Sequence, residues 1–564
     1  MRSRIIKISV VAVLVLGLVV YNFYDYWLES RLHYQLSEII NKNPNTLYTY
    51  SFSELDIHIM DGSIDLEGIT IKPTQAAVDS LLSEDNGLRF LLDLRMEQIE
   101  LDGFDIKGFL ATGNIKVDSL IISEPSFEYY FHPRKEKANQ VMPLHQIFNE
   151  KFKEADLGKF VIRNGNIKID DQSEEGAAIN IHHLNIEMKG AHMDQQTLQR
   201  FSPFEYQDIQ VMASGINVDA SEDFTIISDT LMFDVDRGNM DILNFQLQPK
   251  HSQEKFSNLY DYQKQWMAIK LDHLIIRRIE MEKFLQTGLI DIGMVELNNP
   301  SLALYKDKTK PLGEKKDKKL PVSMIQSINW ILNVDSVEVR NGFITVDQKS
   351  EKTGMESHLF FSDLNARVLN FTNSKSDESS VLYLDANASV LGKTTANLHM
   401  RFDLRSTNDA FTAWGDVGEV EGEAFNVILD PMIGMKVKDG VVHKVSFEFD
   451  GDHQRSSGIV DAAYEGIKIE FMKEDSLGEE TKKGFMSFAA NSVINSYNRP
   501  EESSYRQGII NYSRDPKKGI FSFLWNSIQE GLISIMAPFT NDKETKQQQR
   551  NLRKERKKKL KEKG

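Results

Sequence analysis

The sequence predicts a mainly β protein whose strands form a mostly antiparallel sheet built from tandem repeats. Apolar and polar residues alternate with a period of two along much of the chain. The alternating runs are separated by turn residues and short helical stretches, not by regular crossover helices. One long segment also occurs twice.

The alternation is clearest where Leu55, Ile57, Ile59, Ile64, Leu66, Ile69 and Ile71 interleave with Asp56, His58, Asp65, Glu67, Thr70 and Lys72. A strand turns successive side chains to opposite faces, so this pattern gives one apolar and one polar face. Leu231, Phe233, Val235, Met240, Ile242, Phe245 and Leu247 keep the same period further on. Asp61-Gly62 and Arg237-Gly238 stand at the breaks, where hairpin turns need positive φ. Asn164-Gly165 and Asn341-Gly342 predict two more turns, and the runs predict strands of five to seven residues.

The duplication is read without a gap over its best segment. Phe109–Tyr130 matches Phe284–Tyr305 at an offset of 175, aligning Phe109 with Phe284, Thr112 with Thr287, Gly113 with Gly288, Ile115 with Ile290 and Pro125 with Pro300. Arg163-Asn164-Gly165 matches Arg340-Asn341-Gly342 at 177, and Leu184-Asn185 matches Leu364-Asn365 at 180. Gly62, Asp65 and Pro73 match Gly238, Asp241 and Pro249 at 176. Each copy carries two expected helical interruptions, at Ala76–Leu82 and Leu144–Phe152, then at Phe256–Trp266 and Met324–Leu332. Lys306–Lys319 is charged and lacks apolar periodicity, which predicts an exposed loop. From Val381 to Tyr512 the alternation continues, with Gly458–Tyr464 and Gly466–Phe471 read as a strand pair.

The two ends differ from the middle. The 564 residues carry a net charge of −16 and no cysteine, which excludes disulfides, thiolate metal sites and cysteine nucleophiles. The acidic balance argues against a nucleic-acid partner. Arg2, Arg4 and Lys7 precede an apolar run, and from Ile5 to Tyr24 Lys7 is the only charge. That run is long enough for one transmembrane helix, with the basic flank cytoplasmic. A cleaved signal peptide is the rival reading, but Val19–Tyr26 offers no small-residue cleavage site. Asn541–Gly564 holds eleven lysines and arginines against four acids. Before it, Phe521, Leu524, Trp525, Ile528, Leu532 and Ile535 share one face of an expected helix. This pair of features reads either as a membrane-surface element or as a helix capping the protein's own core beside a solvated tail.

Motifs for chemistry are absent. Leu391-Gly392-Lys393-Thr394 resembles the tail of a phosphate loop, but Asn387 stands where the first glycine belongs and the segment alternates as a strand. Asp450-Gly451-Asp452-His453 sits where a turn is expected, and His182-His183 lies in an alternating segment that splits the pair between faces. No catalytic, cofactor-binding or metal-ligating residue is assigned.

An apolar sheet face must be covered, either by a second layer as a dry core or by curling into a channel. Leu66, Ile115, Val117, Ile242, Ile290 and Ile292 are the candidate floor of such a channel, or else ordinary sandwich core. The boundaries expected are an anchor at 1–27, a first β unit at 28–215, a second at 216–380, a C-terminal β region at 381–512, an apolar helix at 513–540 and a basic tail at 541–564.

Gly113–Tyr130 and its copy Gly288–Tyr305 resemble strand endings of the AsmA-like family of bacterial envelope proteins. Ala388–Asp403, Phe411-Thr412-Ala413-Trp414-Gly415, Gly440-Val441-Val442 and Gly458–Ile467 resemble that family's C-terminal region. Asn511–Trp525 looks like the closing segment of versions from Bacteroidetes-type bacteria. The resemblance implies a single-pass inner-membrane protein, with its bulk in the periplasm and a curled sheet forming an open groove. It implies phospholipid acyl chains as ligands, no enzymatic activity and no cofactor, with an envelope protein partner extending the groove. A scaffolding protein acting through sheet edges or the C-terminal helix is the alternative. A glycan-processing enzyme with close carboxylates is a weaker third reading.

Overall fold

A computed structural model of the chain describes residues 47–58, 61–82, 90–131, 154–171, 178–199, 204–313, 317–374, 381–471, 495–538 and 541–563. The expected transmembrane run Ile5–Tyr24 and the expected helix Leu144–Phe152 lie outside the described residues. Among the described residues, no helix is long and apolar enough to cross a membrane. Among the described residues the fold is mainly β, with 23 strands paired mostly antiparallel, and the chain divides into two compact units. These are Met1–Lys250 with Ile275–Asp291, and His251–Leu274 with Ile292–Gly564.

The first unit contains β1 (Tyr48–Ser51), β2 (Glu54–His58), β3 (Ser63–Pro73), β4 (Phe90–Asp102), β5 (Ile115–Ser123), β6 (Ser126–Phe131), β7 (Glu154–Asp171), β8 (Ala178–Asp194), β9 (Asp208–Asp219), β10 (Phe224–Asp234) and β11 (Asn239–Pro249). Strands β12 (Trp266–Ile279) and β13 (Ile290–Asn298) contribute residues to both units. The second unit adds β14 (Ser301–Asp307), β15 (Leu332–Lys349), β16 (Glu356–Thr372), β17 (Val381–Val390), β18 (Thr394–Asp403), β19 (Phe411–Val417), β20 (Val420–Glu421), β21 (Met435–Gly451), β22 (Arg455–Phe471) and β23 (Gly508–Ser513). The helices are α1 (Gln75–Leu82), α2 (Ile106–Thr112), α3 (Gln253–Leu259), α4 (Met281–Thr287), α5 (Pro321–Gln326), α6 (Asn426–Ile433), α7 (Ile520–Met536) and α8 (Lys543–Lys563).

In the first unit, β3 pairs with β1 and β2 on one side and β4 on the other. β4 pairs with both β5 and β6, and these run parallel to β7. From β7 to β11 each strand is antiparallel to the next. In the second unit, β14 runs parallel to β15, and β15 to β19 follow antiparallel, then β21, β22 and β23. The parallel pairs are exceptions within the mostly antiparallel arrangement that the sequence predicts. Parallel neighbours need a long return path. Residues 308–331, which include α5, supply it between β14 and β15.

The duplication is visible in detail. α2 ends on Gly113 (φ 78), whose N–H donates to the Phe109 carbonyl, and α4 ends on Gly288 (φ 74), whose N–H donates to that of Phe284. Glycine tolerates this left-handed cap where a Cβ would be strained. Gly62 and Gly238 turn the hairpins as expected, and a Cβ there would meet the Phe104 and Ile279 carbonyl oxygens at 2.5 and 2.4 Å. Glu124 (φ 46) before Pro125 and Asn299 (φ 50) before Pro300 break the chain between β5 and β6 and between β13 and β14.

Several expectations are corrected. Asn164-Gly165 and Asn341-Gly342 are not turns. They are bulges inside β7 and β15, where Asn164 (φ 53) and Asn341 (φ 55) take the left-handed conformation. Each backbone N–H donates to an asparagine of the next strand, Asn185 or Asn365. Strands therefore run on to 18 residues rather than ending at seven. Gly458–Tyr464 and Gly466–Phe471 are one strand, β22, bent at Gly466 (φ 66). Leu391-Gly392 is the hairpin turn between β17 and β18, not strand. α3 stops at Leu259, and Trp266 opens β12. α5 stops at Gln326, and the Leu332 N–H goes to Asn373 Oδ1 where the chain enters β15. The expected loop Lys306–Lys319 begins inside β14, and the Lys308 N–H extends the ladder to the Lys349 carbonyl at 3.0 Å.

Each unit has its own core. In the first, Ile64, Leu94, Met96, Ile99, Leu101, Leu120, Ile122, Phe160 and Ile162 pack with Phe104 and Phe109. In the second, Met400, Phe402, Phe411, Ala413, Phe449, Val460 and Ile510 pack beneath Phe523, Leu524 and Ile535 of α7 and beside Leu320, Val322 and Ile325 at α5.

Candidate functional site

Paired residues on neighbouring strands share a sheet face, so the registers trace continuous rows of side chains. In the first unit one row reads Leu66, Ile99, Ile122, Ile162, Ile186, Val211, Phe233 and Met240. Every member is apolar. Ile99, Ile122 and Ile162 are buried, but Val211, Phe233 and Met240 are half-buried and join no buried cluster. In the second unit a row reads Leu302, Ile344, Phe361 and Val390, beside a shorter row of Leu304, Val346 and Leu359. Apart from Val390 these are also half-buried and outside both buried clusters. A sheet face without a tightly packed second layer leaves its side chains in this intermediate state. The opposite face of β15 to β19 is polar, with Glu338, Arg340, Arg367, Asp385 and His399 lining a shallow hollow. Its polar groups are already partnered, Arg340 in an ion pair with Glu338 at 2.9 Å and His399 hydrogen-bonded to Asp385 at 2.5 Å.

The six floor candidates separate into three groups. Ile115 and Val117 are 4% and 7% exposed within the first core and offer no open surface. Leu66 packs against that core from its edge. Ile242, Ile290 and Ile292 are half-buried and lie outside both cores.

The α7 candidates also divide. Leu524 and Ile535 are buried against the sheet, and Ile528 and Leu532 pack partly on the same core. Phe521 and Trp525 point outward, 81% and 52% exposed. The helix approaches closely because Ser527, Gly531 and Ser534 line its buried side. Ser527 Oγ lies 2.7 Å from Ser456 Oγ, Ser534 Oγ accepts the Ile509 N–H, and a Cβ on Gly531 would meet Val460 at 2.3 Å. Sequence reasoning weighted large apolar residues and missed this small-residue seam. Glu530 accepts the Asn511 N–H at 2.8 Å, and its burial pushes its pKa up. The basic tail is helical. Gln549 donates to the Gln507 and Ser534 carbonyls, Arg553 donates to Ser503, and the Arg556 guanidinium stacks 3.9 Å from the Tyr505 ring centre.

One titratable cluster was invisible in the sequence. The register of β7 with β8 brings Asp156 opposite His192 and Glu154 opposite Asp194. Ligand atoms of Glu154, Asp156 and His192 lie within 4.8 Å of one another, but all three side chains are partly exposed, and Asn114 already donates to Glu154. The hydrogen bond from His192 Nδ1 to Asp156, at 2.8 Å, raises the His192 pKa above its ordinary value of about 6.5, against an opposing effect of burial. A raised pKa stabilises the fold fully below about 6.5, and that contribution is lost as pH rises through the folded-state value. Solvent screening keeps it small. An NMR titration is expected to place His192 above 6.5 in the native chain and to move it down in Asp156→Asn. A midpoint unchanged by that substitution would remove Asp156 as the cause.

No family model matches the chain, and a comparison with curated proteins finds no match.

Proposed function

We propose that this chain is a non-enzymatic, inner-membrane-anchored periplasmic protein of envelope biogenesis that holds or conducts phospholipid acyl chains along the apolar face of its sheet. The observation that carries the reading is the set of apolar rows that stay half-buried, Val211, Phe233 and Met240 in one unit and Leu302, Ile344 and Phe361 in the other. Moving one methylene from water to such a surface gains about 0.8 kcal/mol, so a row of this kind retains an acyl chain without any residue-specific contact. The apolar run Ile5–Tyr24 supports the anchor, and the resemblance to AsmA-like proteins supports the compartment.

The full chain should carry phospholipid through purification and accelerate its exchange between liposomes. Mass spectrometry of the extract and a fluorescent-lipid transfer assay measure both. Lipid-free protein without transfer activity refutes the reading. A scaffolding role is the second reading, and the outward Phe521 and Trp525 of α7 favour it. It predicts instead that a Phe521→Ser/Trp525→Ser chain loses a protein partner and keeps its lipid.

A further inference from the structure

Face and sequence place a lysine at the end of the second unit's apolar row. Leu302, Leu304 and Lys306 alternate on one face of β14, and the parallel register sets Lys306 beside Gln348 as it sets Leu304 beside Val346. Lys308 follows two residues on, held by its N–H to the Lys349 carbonyl. Both lysines are half-buried, and among the described residues neither ammonium has an ion pair or hydrogen bond.

Two further lysines from distant sequence lie near enough to act on them through space, Lys318 on Lys306 and Lys518 on Lys308. The Lys318 N–H donates to the Pro516 carbonyl at 2.8 Å, which brings Lys318 beside the segment that carries Lys518. Arg514 braces this junction, donating to the Lys318 and His453 carbonyls while its Nε is buried without a partner. Among the described residues, no acid pairs with Lys306, Lys308 or Lys318. Asp307 turns to Ser257 and Thr309, and Asp515 pairs with Lys518 at 3.6 Å. Glu351 offsets Lys308 only through space.

We propose that Lys306, Lys308, Lys318 and Lys518 form a binding site for a phosphate-bearing anion, positioned so that an attached acyl chain lies along Leu304 and Leu302. Burial lowers the pKa of Lys306 and Lys308, and the charge of Lys318 adds to the effect on Lys306, as Lys306 and Lys518 add to it on Lys308. Two half-buried like charges, with two exposed ones beside them, are costly when empty and are relieved by an anion. Flexible ammonium groups bind phosphate as point charges rather than as a fixed fork. The anion site stands on the lysines alone, whereas the lipid as its source rests on the function proposed above.

The test uses the full chain in an uncharged detergent and the variant Lys306→Gln/Lys308→Gln. Binding is measured for phosphatidylglycerol, for diacylglycerol with the same acyl chains, and for inorganic phosphate. We expect phosphatidylglycerol to weaken about tenfold or more in the variant, with diacylglycerol unchanged. Inorganic phosphate that binds the native chain but not the variant, with no lipid bound by either, keeps the anion site and refutes the lipid reading. Phosphatidylglycerol and phosphate bound equally by native chain and variant refute the site, and retained lipid then leaves the lipid reading intact. Native protein that binds none of the three refutes both. If circular dichroism shows the variant unfolded, the exposed pair Lys318→Gln/Lys518→Gln replaces it, and unchanged phosphate and phosphatidylglycerol affinity in that chain overturns the proposal.

Discussion

Ile292→Glu is expected to strip bound lipid from the chain and leave it folded, while Val117→Glu, the same position in the first copy, is expected to unfold the first unit. The two residues occupy equivalent places in the duplicated segment but different surroundings. Val117 is 7% exposed inside a packed core, whereas Ile292 is half-buried and belongs to no buried cluster. A carboxylate forced into the core has no partner there and costs about 3–5 kcal/mol, a large part of a domain's stability. At the half-open position the carboxylate keeps water, and the loss is about 1 kcal/mol of apolar burial. The same charge interrupts the apolar surface that an acyl chain would follow. Thermal melting and mass spectrometry of co-purified lipid measure the two effects on the same samples. Lipid retained in Ile292→Glu would refute the acyl-chain reading, and a stable Val117→Glu would refute the packed first core.

The second large effect is expected from Asn498→Ala. This residue is 2% exposed and makes three hydrogen bonds with its amide. Nδ2 donates to the Ala462 carbonyl at 2.7 Å and to the Arg506 carbonyl at 2.9 Å, and Oδ1 accepts the Arg506 N–H at 2.9 Å. The backbone N–H also donates to the Tyr464 carbonyl. Alanine would strand three main-chain groups next to a buried core, at about 1–3 kcal/mol for each group left without water or partner. We expect a total loss of about 3–5 kcal/mol in chemical denaturation. The consequence reaches the C-terminus, because Arg553 and Arg556 dock α8 onto Ser503 and Pro500 in the segment that Asn498 pins. Hydrogen exchange should therefore rise in residues 543–563 together with 495–507. Protection of α8 unchanged in Asn498→Ala would show that its docking is independent.

Much of the fold was legible because it was written in local signals. Period-two alternation gave the strands and glycines gave the hairpins at Gly62 and Gly238, whereas the duplication aligned Gly113 with Gly288 without revealing that each ends a short helix. Asn-Gly was misread because the same left-handed preference serves a turn and a bulge, and only the cross-strand partners Asn185 and Asn365 distinguish them. Parallel pairing was missed because it is decided by where the chain returns, not by any local pattern. The candidate site was legible only as a face. Which of its residues stay open depends on packing by distant elements, so Val117 and Ile292 look alike in sequence and differ in space. The lysine cluster joins positions 306 and 518, a separation no pattern scan bridges.

The paired bulges recur in each copy of the repeat. Asn164 and His183 face each other across β7 and β8, and Asn341 and Asp363 do so across β15 and β16, all four in the left-handed conformation. A bulge bends its strand and raises the local twist. The local distortion is thus inherited with the module, one bulge pair per copy. The duplication therefore copies a backbone distortion as faithfully as it copies the glycine helix caps at Gly113 and Gly288.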